Sequence, residues 1–346
     1  MRIVLDGMGG DNAPDEIVKG AVETSASIDH EICIVGDRER IEPLLDTFEY
    51  DAKKICVLHA SEVIGSDDSP VKAVRRKKDS SLVKGMEAVR DGEGDIFISA
   101  GNSGAIMSGG VFVLGRIRGI DRPAIGSTYP ILGQGEVSLL IDTGANAECK
   151  PHNLLQFAMM GSIYAQSVLG KERPTVGLVN IGTEPGKGSA MLKETFELLM
   201  RSRDGSSGLN FIGNVEARDV PIGICDVIVC DGFVGNVILK MTEGVALSIS
   251  HLIRRKFSEG VVAKAGAVLL YNKLGELKKA FDYTEYGGAP ILGVKGAVVK
   301  LHGSATANAV RSGITRAIPF VENRVVDTIE RAMGELSEIT GDVDKS

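Results

Sequence analysis

Six short segments combine glycine with polar or charged residues where apolar runs end: Asp6-Gly-Met-Gly-Gly-Asp11, Ser99-Ala-Gly-Asn-Ser-Gly104, Asp142-Thr-Gly-Ala-Asn146, Asn180-Ile-Gly-Thr-Glu-Pro-Gly-Lys-Gly188, Asp231-Gly-Phe-Val-Gly-Asn236 and His302-Gly-Ser304. In an open α/β sheet, ligands bind at the carboxyl ends of strands. There glycine lets backbone N–H groups approach an anion, and helix N-termini add a positive field. The six loops together predict one large, polar, anion-holding cleft.

The side chains narrow the chemistry. Gly7-Met-Gly-Gly-Asp-Asn12 has asparagine where a dinucleotide fingerprint needs its third glycine, and Gly182-Thr-Glu-Pro-Gly-Lys-Gly188 is one residue short of a P-loop and lacks its Ser/Thr. Neither NAD nor ATP is supported. No GxSxG elbow is present, and Cys230 reads as a small apolar strand residue rather than a nucleophile. His302 stands at a glycine-rich strand end, where it either touches substrate or serves as a structural hydrogen-bonding group. Asp6, Asp11, Asp142 and Asp231 read as turn or helix-cap residues or, if their oxygens converge, as ligands for a hard cation. The neutral amides of Asn102, Asn146, Asn180 and Asn236 suit an oxyanion or phosphate, because each both donates and accepts.

Strand-like runs that would carry these loops recur at 3–5, 32–35, 55–58, 96–99, 137–141, 175–179, 210–212 and 227–230, several of them continuously apolar. Helix-like stretches at 15–27, 70–89, 154–169 and 192–200 alternate with them. This alternation predicts an α/β fold with a mostly parallel sheet sandwiched by helices. The 346 residues are enough for one large domain over 1–340 with two lobes around a cleft, and neither a linker nor a repeat divides them. A net charge of −7 leaves no overall footprint for nucleic acid. Five dispersed cysteines without a CxxC pair fit a reducing cytoplasm, and neither a signal sequence nor an 18-residue apolar run is found.

A helical insertion at about 245–283 departs from the alternation. Here Val261, Val262, Val268, Leu269 and Leu270 lie among Arg254, Arg255 and several lysines. Such a basic amphipathic hairpin packs on the domain or a dimer mate, or lies on an anionic membrane surface.

Taken in order, these segments resemble the PlsX family of bacterial phosphate acyltransferases. Arg76-Lys-Lys-Asp-Ser-Ser81 and Tyr286-Gly-Gly-Ala-Pro-Ile-Leu-Gly293 add to the match, which spans nearly the whole chain. Ala305 after His-Gly-Ser and Gly65-Ser66 before Asp-x-x-Pro depart from the family pattern, which bears on substrate preference rather than on the reaction. The resemblance implies a fold similar to isocitrate and isopropylmalate dehydrogenases, with a projecting helical hairpin. It also implies transfer of a long-chain acyl group from acyl carrier protein to inorganic phosphate, without cofactor or metal. The acyl phosphate would pass to a membrane glycerol-3-phosphate acyltransferase, and the enzyme would be a cytoplasmic homodimer held peripherally on the inner face of the membrane.

On this reading His302, Lys187, Asn180 and Asp231 carry catalysis. Asp6, Gly9, Gly10, Asp11, Gly101, Asn102, Ser103, Gly104, Asn146, Glu184 and Asn236 bind phosphate or substrate. Arg75, Arg76, Lys77, Lys78, Arg254 and Arg255 dock the acidic carrier, and 261–270 touch the membrane. Competing readings are a phosphotransacetylase-like enzyme acting on acyl-coenzyme A, a decarboxylating dehydrogenase, and a noncatalytic lipid-surface scaffold. The dehydrogenase would need a metal-binding acid cluster and a nicotinamide site that the sequence does not offer.

Overall fold

Arg2–Asp6 forms a strand because four consecutive side chains after Arg2 are apolar or held by internal hydrogen bonds and are buried. The computed structural model describes residues 1–131, 136–204, 208–260, 263, 270 and 288–340. Its strands are β1 (Arg2–Asp6), β2 (Glu31–Gly36), β3 (Ile55–His59), β4 (Ile96–Ser99), β5 (Ala124–Pro130), β6 (Val137–Ile141), β7 (Val176–Asn180), β8 (Phe211–Glu216), β9 (Val227–Val229), β10 (Ala289–Leu292) and β11 (Ala297–Lys300). They form one sheet in the order β3-β2-β1-β4-β11-β10-β5-β6-β9-β7-β8.

Two parallel blocks, β3-β2-β1-β4-β11 and β6-β9-β7-β8, run in opposite directions because β10 and β5 join them through antiparallel pairs. Neighbouring strands twist by about 20–25°. Over the six steps from β1 to β9 a twist of that size amounts to roughly 120–150°, enough to turn the carboxyl ends of the opposed blocks toward one another. β10 pairs with β5 only at Ile291–Ile125 and Leu292–Ala124, whereas 126–130 pair with β6. The sheet forks at that point.

The helices are α1 (Asp15–Ser25), α2 (Arg38–Leu45), α3 (Pro70–Arg76), α4 (Ser81–Arg90), α5 (Ser103–Gly109), α6 (Pro151–Ser167), α7 (Ala190–Asp204), α8 (Gly232–Ser258), α9 (Ala307–Glu322) and α10 (Val325–Thr340). One face of the sheet buries Leu5, Ile98, Phe157 and Phe320 with α1, α6, α9 and α10; the other buries Phe97, Met86 and Val298 with α3, α4 and α5. Each such large side chain contributes about 1.5–3 kcal/mol when removed from water. A third cluster packs Ile228, Val220 and Cys230 under the first turns of α8.

The expected mostly parallel sheet flanked by helices is present, with three differences in detail. The stretch 70–89 is two helices, because Lys77 leaves helical geometry and Ser80 caps a new helix at the Val83 N–H. Helix α8 starts at Gly232, thirteen residues before the expected insertion, and the expected second helix lies outside the described residues apart from residue 270. Strands β5, β10 and β11 and helices α9 and α10 complete the fold without having been anticipated. β5 holds Gly126-Ser127-Thr128 between prolines, and β10 is four residues long.

Candidate active site

Hydrogen bonds tie the first, second and sixth loops into one unit at the ends of β1, β4 and β11. Ser99 Oγ donates to Asp6 Oδ2 at 2.6 Å and accepts from the Gly101 N–H at 3.0 Å. The Asp11 N–H donates to the Gly303 carbonyl at 2.7 Å, and the Asn12 amide to the Ser304 carbonyl at 3.2 Å. Gly10 has a φ of +104°, and a Cβ there would lie 2.9 Å from the Gly303 oxygen, so this seam requires glycine.

The third and fifth loops form a second unit after β6 and β9. Asp142 accepts from the backbone N–H groups of Ile125, Gly144, Ala145 and Asn146 and from the Asn146 amide. The Gly232 N–H donates to the Asn146 carbonyl at 2.7 Å. A Cβ at Gly235 would overlap the Asp142 carbonyl, so glycine lets α8 seat its first turn on this loop. Asp231 caps α8, accepting from the Val234 N–H at 2.8 Å.

Between the units lies a cavity of about 610 Å³. Ser103, Thr143, Gly144, Gly232, Asn236, His302 and Gly303 line it from four of the six loops, beside Ser127, Thr128, Lys240, Glu243 and Lys300. Ile125, Phe233, Leu239 and Leu301 add apolar wall. Gly9, Gly10, Asp11, Gly101 and Gly104 support this lining rather than forming it; the Gly10–Asp11 turn backs Gly303.

The loop 180–188 stands apart from this cavity, none of its residues being among the lining. Asn180 is 7% exposed, donates to the Lys187 carbonyl and Asn214 Oδ1, and accepts from the Ile181 N–H. Lys187 Nζ lies 3.8 Å from Glu184 and is turned to solvent.

Other selected groups serve as loop staples. Asp6 is 2% exposed; burial pushes its pKa up, against hydroxyl and backbone donors that pull it down. Asn102 caps α5 at the Ala105 N–H and donates to the Ser66 carbonyl, while the Asn146 amide donates to the Pro123 carbonyl and Asp142. The four aspartates named as possible cation ligands do not converge: Asp6 and Asp142 occupy different units, Asp231 is a cap, and Asp11 is exposed. Burial raises the Cys230 thiol well above its ordinary pKa, which makes it a poor nucleophile.

His302 is in the cavity. Its Nδ1 accepts from the Ser304 N–H at 3.2 Å and lies 2.8 Å from Ser304 Oγ. A backbone N–H can only donate, so the neutral ring carries its proton on Nε2. Burial lowers the pKa of the ring, and nearby Lys300 and Lys240 lower it further. At neutral pH His302 is therefore a hydrogen-bond donor rather than a ready proton source for a departing thiolate.

Sequence reasoning passed over Lys300. It ends β11 two residues before His302, and both residues line the cavity. The signal was the string Lys300-Leu-His-Gly-Ser304, read for its histidine alone.

Of the basic residues, Arg75, Arg76, Lys78, Arg254 and Arg255 are exposed, and the Arg75 guanidinium sits 4.7 Å over the Phe112 ring. Lys77 differs: it is half-buried and held by Asp68 at 2.6 Å. Leu270 is 46% exposed, while Val261, Val262, Val268 and Leu269 lie outside the described residues.

A family model described as fatty acid synthesis protein matches residues 1–328. A phosphate acyltransferase of Alkaliphilus oremlandii is 50% identical over 338 residues, covering 98% of this chain and 99% of that protein. Its counterpart in Clostridioides difficile is 46% identical over 338 residues, covering 98% of each. Among solved structures, a phosphotransacetylase from Streptococcus pyogenes superposes with a TM-score of 0.64 at 15% identity over 94% of each chain. A 4-hydroxythreonine-4-phosphate dehydrogenase from Klebsiella pneumoniae gives 0.54 at 12% identity, over 92% of this chain and 98% of that one. The two superpositions show a shared fold.

Proposed function

The chain belongs to the phosphate acyltransferase family, and from that premise we propose that it moves a long-chain fatty acyl group from acyl carrier protein to inorganic phosphate, supplying acyl phosphate for phospholipid synthesis. The observation that carries the proposal is the cavity itself, in which the donor His302 and the cation Lys300 face apolar wall. A phosphate oxygen attacks the thioester carbonyl, a C–O bond forms, and the C–S bond breaks with its electron pair leaving on sulfur. Phosphate is already an anion and thiolate is a good leaving group, so positioning and electrostatic stabilisation can dominate. The Nε2–H of His302 suits the oxygen that gains charge. Asn236, which engages no protein partner among the described residues, offers a second uncharged contact.

The fork in the sheet supports a long-chain donor. A second cavity of about 200 Å³, lined by Tyr164, Val168, Leu169, Val299 and Pro319, shares Thr128 and Gly288 with the first. An acyl chain could pass between β5 and β10 with its thioester left at His302. The two parallel blocks then act as lobes of one domain around the reaction.

The carrier docks at α3 on this reading. Pro70 of α3 packs on Gly104, beside the cavity residue Ser103, which places Arg75, Arg76 and Lys78 near the entrance. Reversing Arg75 and Arg76 to glutamate is expected to raise the Michaelis constant for acyl carrier protein about tenfold at low salt, with a smaller effect at high salt. A steady-state series at two ionic strengths checks it, and a salt-independent or absent change would move docking elsewhere, for instance to Arg254 and Arg255.

Helix α8 supports a surface role. Phe233, Val237, Met241, Val245 and Ile249 are exposed at every fourth position, and by length and composition alone the helix is long and apolar enough to cross a membrane. Its buried first turn on Asp142 fits a peripheral arrangement better. We read this face, with 261–270, as serving a homodimer and an anionic membrane from which product reaches a glycerol-3-phosphate acyltransferase.

The deciding assay offers palmitoyl-acyl-carrier-protein, palmitoyl-coenzyme A or acetyl-coenzyme A with phosphate and measures acyl phosphate and free thiol. Phosphate-dependent turnover of the carrier-bound chain is expected. Turnover of acetyl-coenzyme A alone would favour a phosphotransacetylase, and no turnover would favour a scaffold.

A further inference from the structure

Withdrawing an ammonium from water is costly unless an anion meets it. Lys300 is half-buried in the cavity wall and, among the described residues, has no carboxylate within ion-pair distance. Its Nζ donates to the uncharged Leu301 carbonyl at 3.2 Å. The nearby carboxylate, Glu243, is engaged by Lys240 at 2.7 Å. Among the described residues the wall therefore holds two ammonium groups and one carboxylate, so Lys300 has no described carboxylate of its own.

We propose that Lys300 is the catalytic cation that receives the inorganic phosphate nucleophile. This inference rests on the acyl-transfer reading and assigns one substrate to one side chain. Lys300 and His302, two residues apart, both line the cavity, so an anion held by Nζ lies beside the group that donates to the carbonyl oxygen. The phosphate contributes an oxygen lone pair to the acyl carbon, the C–S electron pair departs with the carrier thiolate, and charge is conserved without a proton transfer. Lys300 keeps its proton throughout and acts by attraction and placement. Burial and the neighbouring Lys240 lower its pKa, as expected for a cation whose counter-ion arrives with the substrate.

The phosphate group of the donor's pantetheine arm has the same chemistry as free phosphate, and kinetics separate the two. Lys300→Met is expected to raise the Michaelis constant for inorganic phosphate about 10- to 100-fold, while that for palmitoyl-acyl-carrier-protein stays within about twofold. Lys300→Arg is expected to recover part of the loss. Lys295→Met, at an exposed lysine in the turn between β10 and β11, serves as the surface control. A rise confined to the donor constant would put the pantetheine phosphate at Lys300 and overturn the assignment, as would unchanged kinetics.

Calorimetric titration of inorganic phosphate into folded wild type and Lys300→Met, each checked by near-UV circular dichroism, tests the site without turnover. Binding lost in the variant supports the assignment, and equal binding overturns it. If wild type turns over no donor, the acyl-transfer reading falls while the calorimetric comparison still decides the anion site.

Discussion

Replacing His302 with alanine is expected to lower kcat about 10²–10³-fold, the usual loss for one donor aimed at a developing oxyanion. The Ser304 N–H fixes the ring, leaving Nε2–H as the donor, and alanine removes it. His302→Gln retains an amide N–H and should fall between alanine and wild type. Single-turnover measurement of thiol release reads the chemical step directly. An alanine variant near wild type would remove His302 from catalysis.

The pH dependence has a defined sign. Burial, Lys300 and Lys240 lower the pKa from its ordinary 6.5, against Glu243 and Asp11, which raise it. The active neutral ring therefore persists as pH falls through 6.5, and the acid limb due to His302 lies below that value. For stability, the unfolded chain takes up the proton first. The contribution of the neutral ring is complete above about 6.5 and is lost as pH falls from there through the lower folded value.

Asp142→Ala is expected to destabilise the protein by about 3–5 kcal/mol, a large part of the 5–15 kcal/mol of a typical domain. The carboxylate is fully buried and gathers four backbone N–H groups and the Asn146 amide. Alanine leaves these donors facing a void, each worth about 1–3 kcal/mol when unsatisfied. The same loop carries Thr143 and Gly144 into the cavity and receives α8 through the Asn146 carbonyl, so activity should fall with stability. Asp142→Asn keeps shape and part of the acceptor set and should cost less. Urea unfolding followed by circular dichroism gives the difference, and a loss below about 1 kcal/mol would show that the donors find water or other partners.

Much of the fold was legible because buried parallel strands write themselves as apolar runs. Ile32–Val35 and Ile96–Ser99, with the glycine-rich turns that end such strands, sufficed to predict a helix-flanked, mostly parallel sheet. The strands that join the two blocks were not legible. Ala124–Pro130 carries glycine and hydroxyl residues between prolines, and its strand form comes from β10 on one side and β6 on the other. The start of α8 was hidden for a related reason: Asp231-Gly-Phe-Val-Gly-Asn236 was read as a ligand loop, and it is also a helix cap.

Residue type alone did not show that the asparagine amides already have protein partners. Asn102, Asn146 and Asn180 hold turns, because short amides beside glycine also satisfy local backbone groups. The two lysines differ in placement. Lys187 lies in a phosphate-loop-like string yet pairs with Glu184 outside the cavity, whereas Lys300 closes an ordinary strand and enters it.

By itself the sequence determined the class of fold, the kind of loop at each strand end and the family, since apolar periodicity and ordered local motifs are properties of neighbouring residues. Only the tertiary structure decided which loops meet, which polar side chains are already occupied by the protein, and which half-buried cation has no carboxylate within ion-pair distance among the described residues. Those are relations between residues as far apart as Asp6 and Ser99, or Lys240 and Lys300, set by strand order, twist and the fork between β5 and β10.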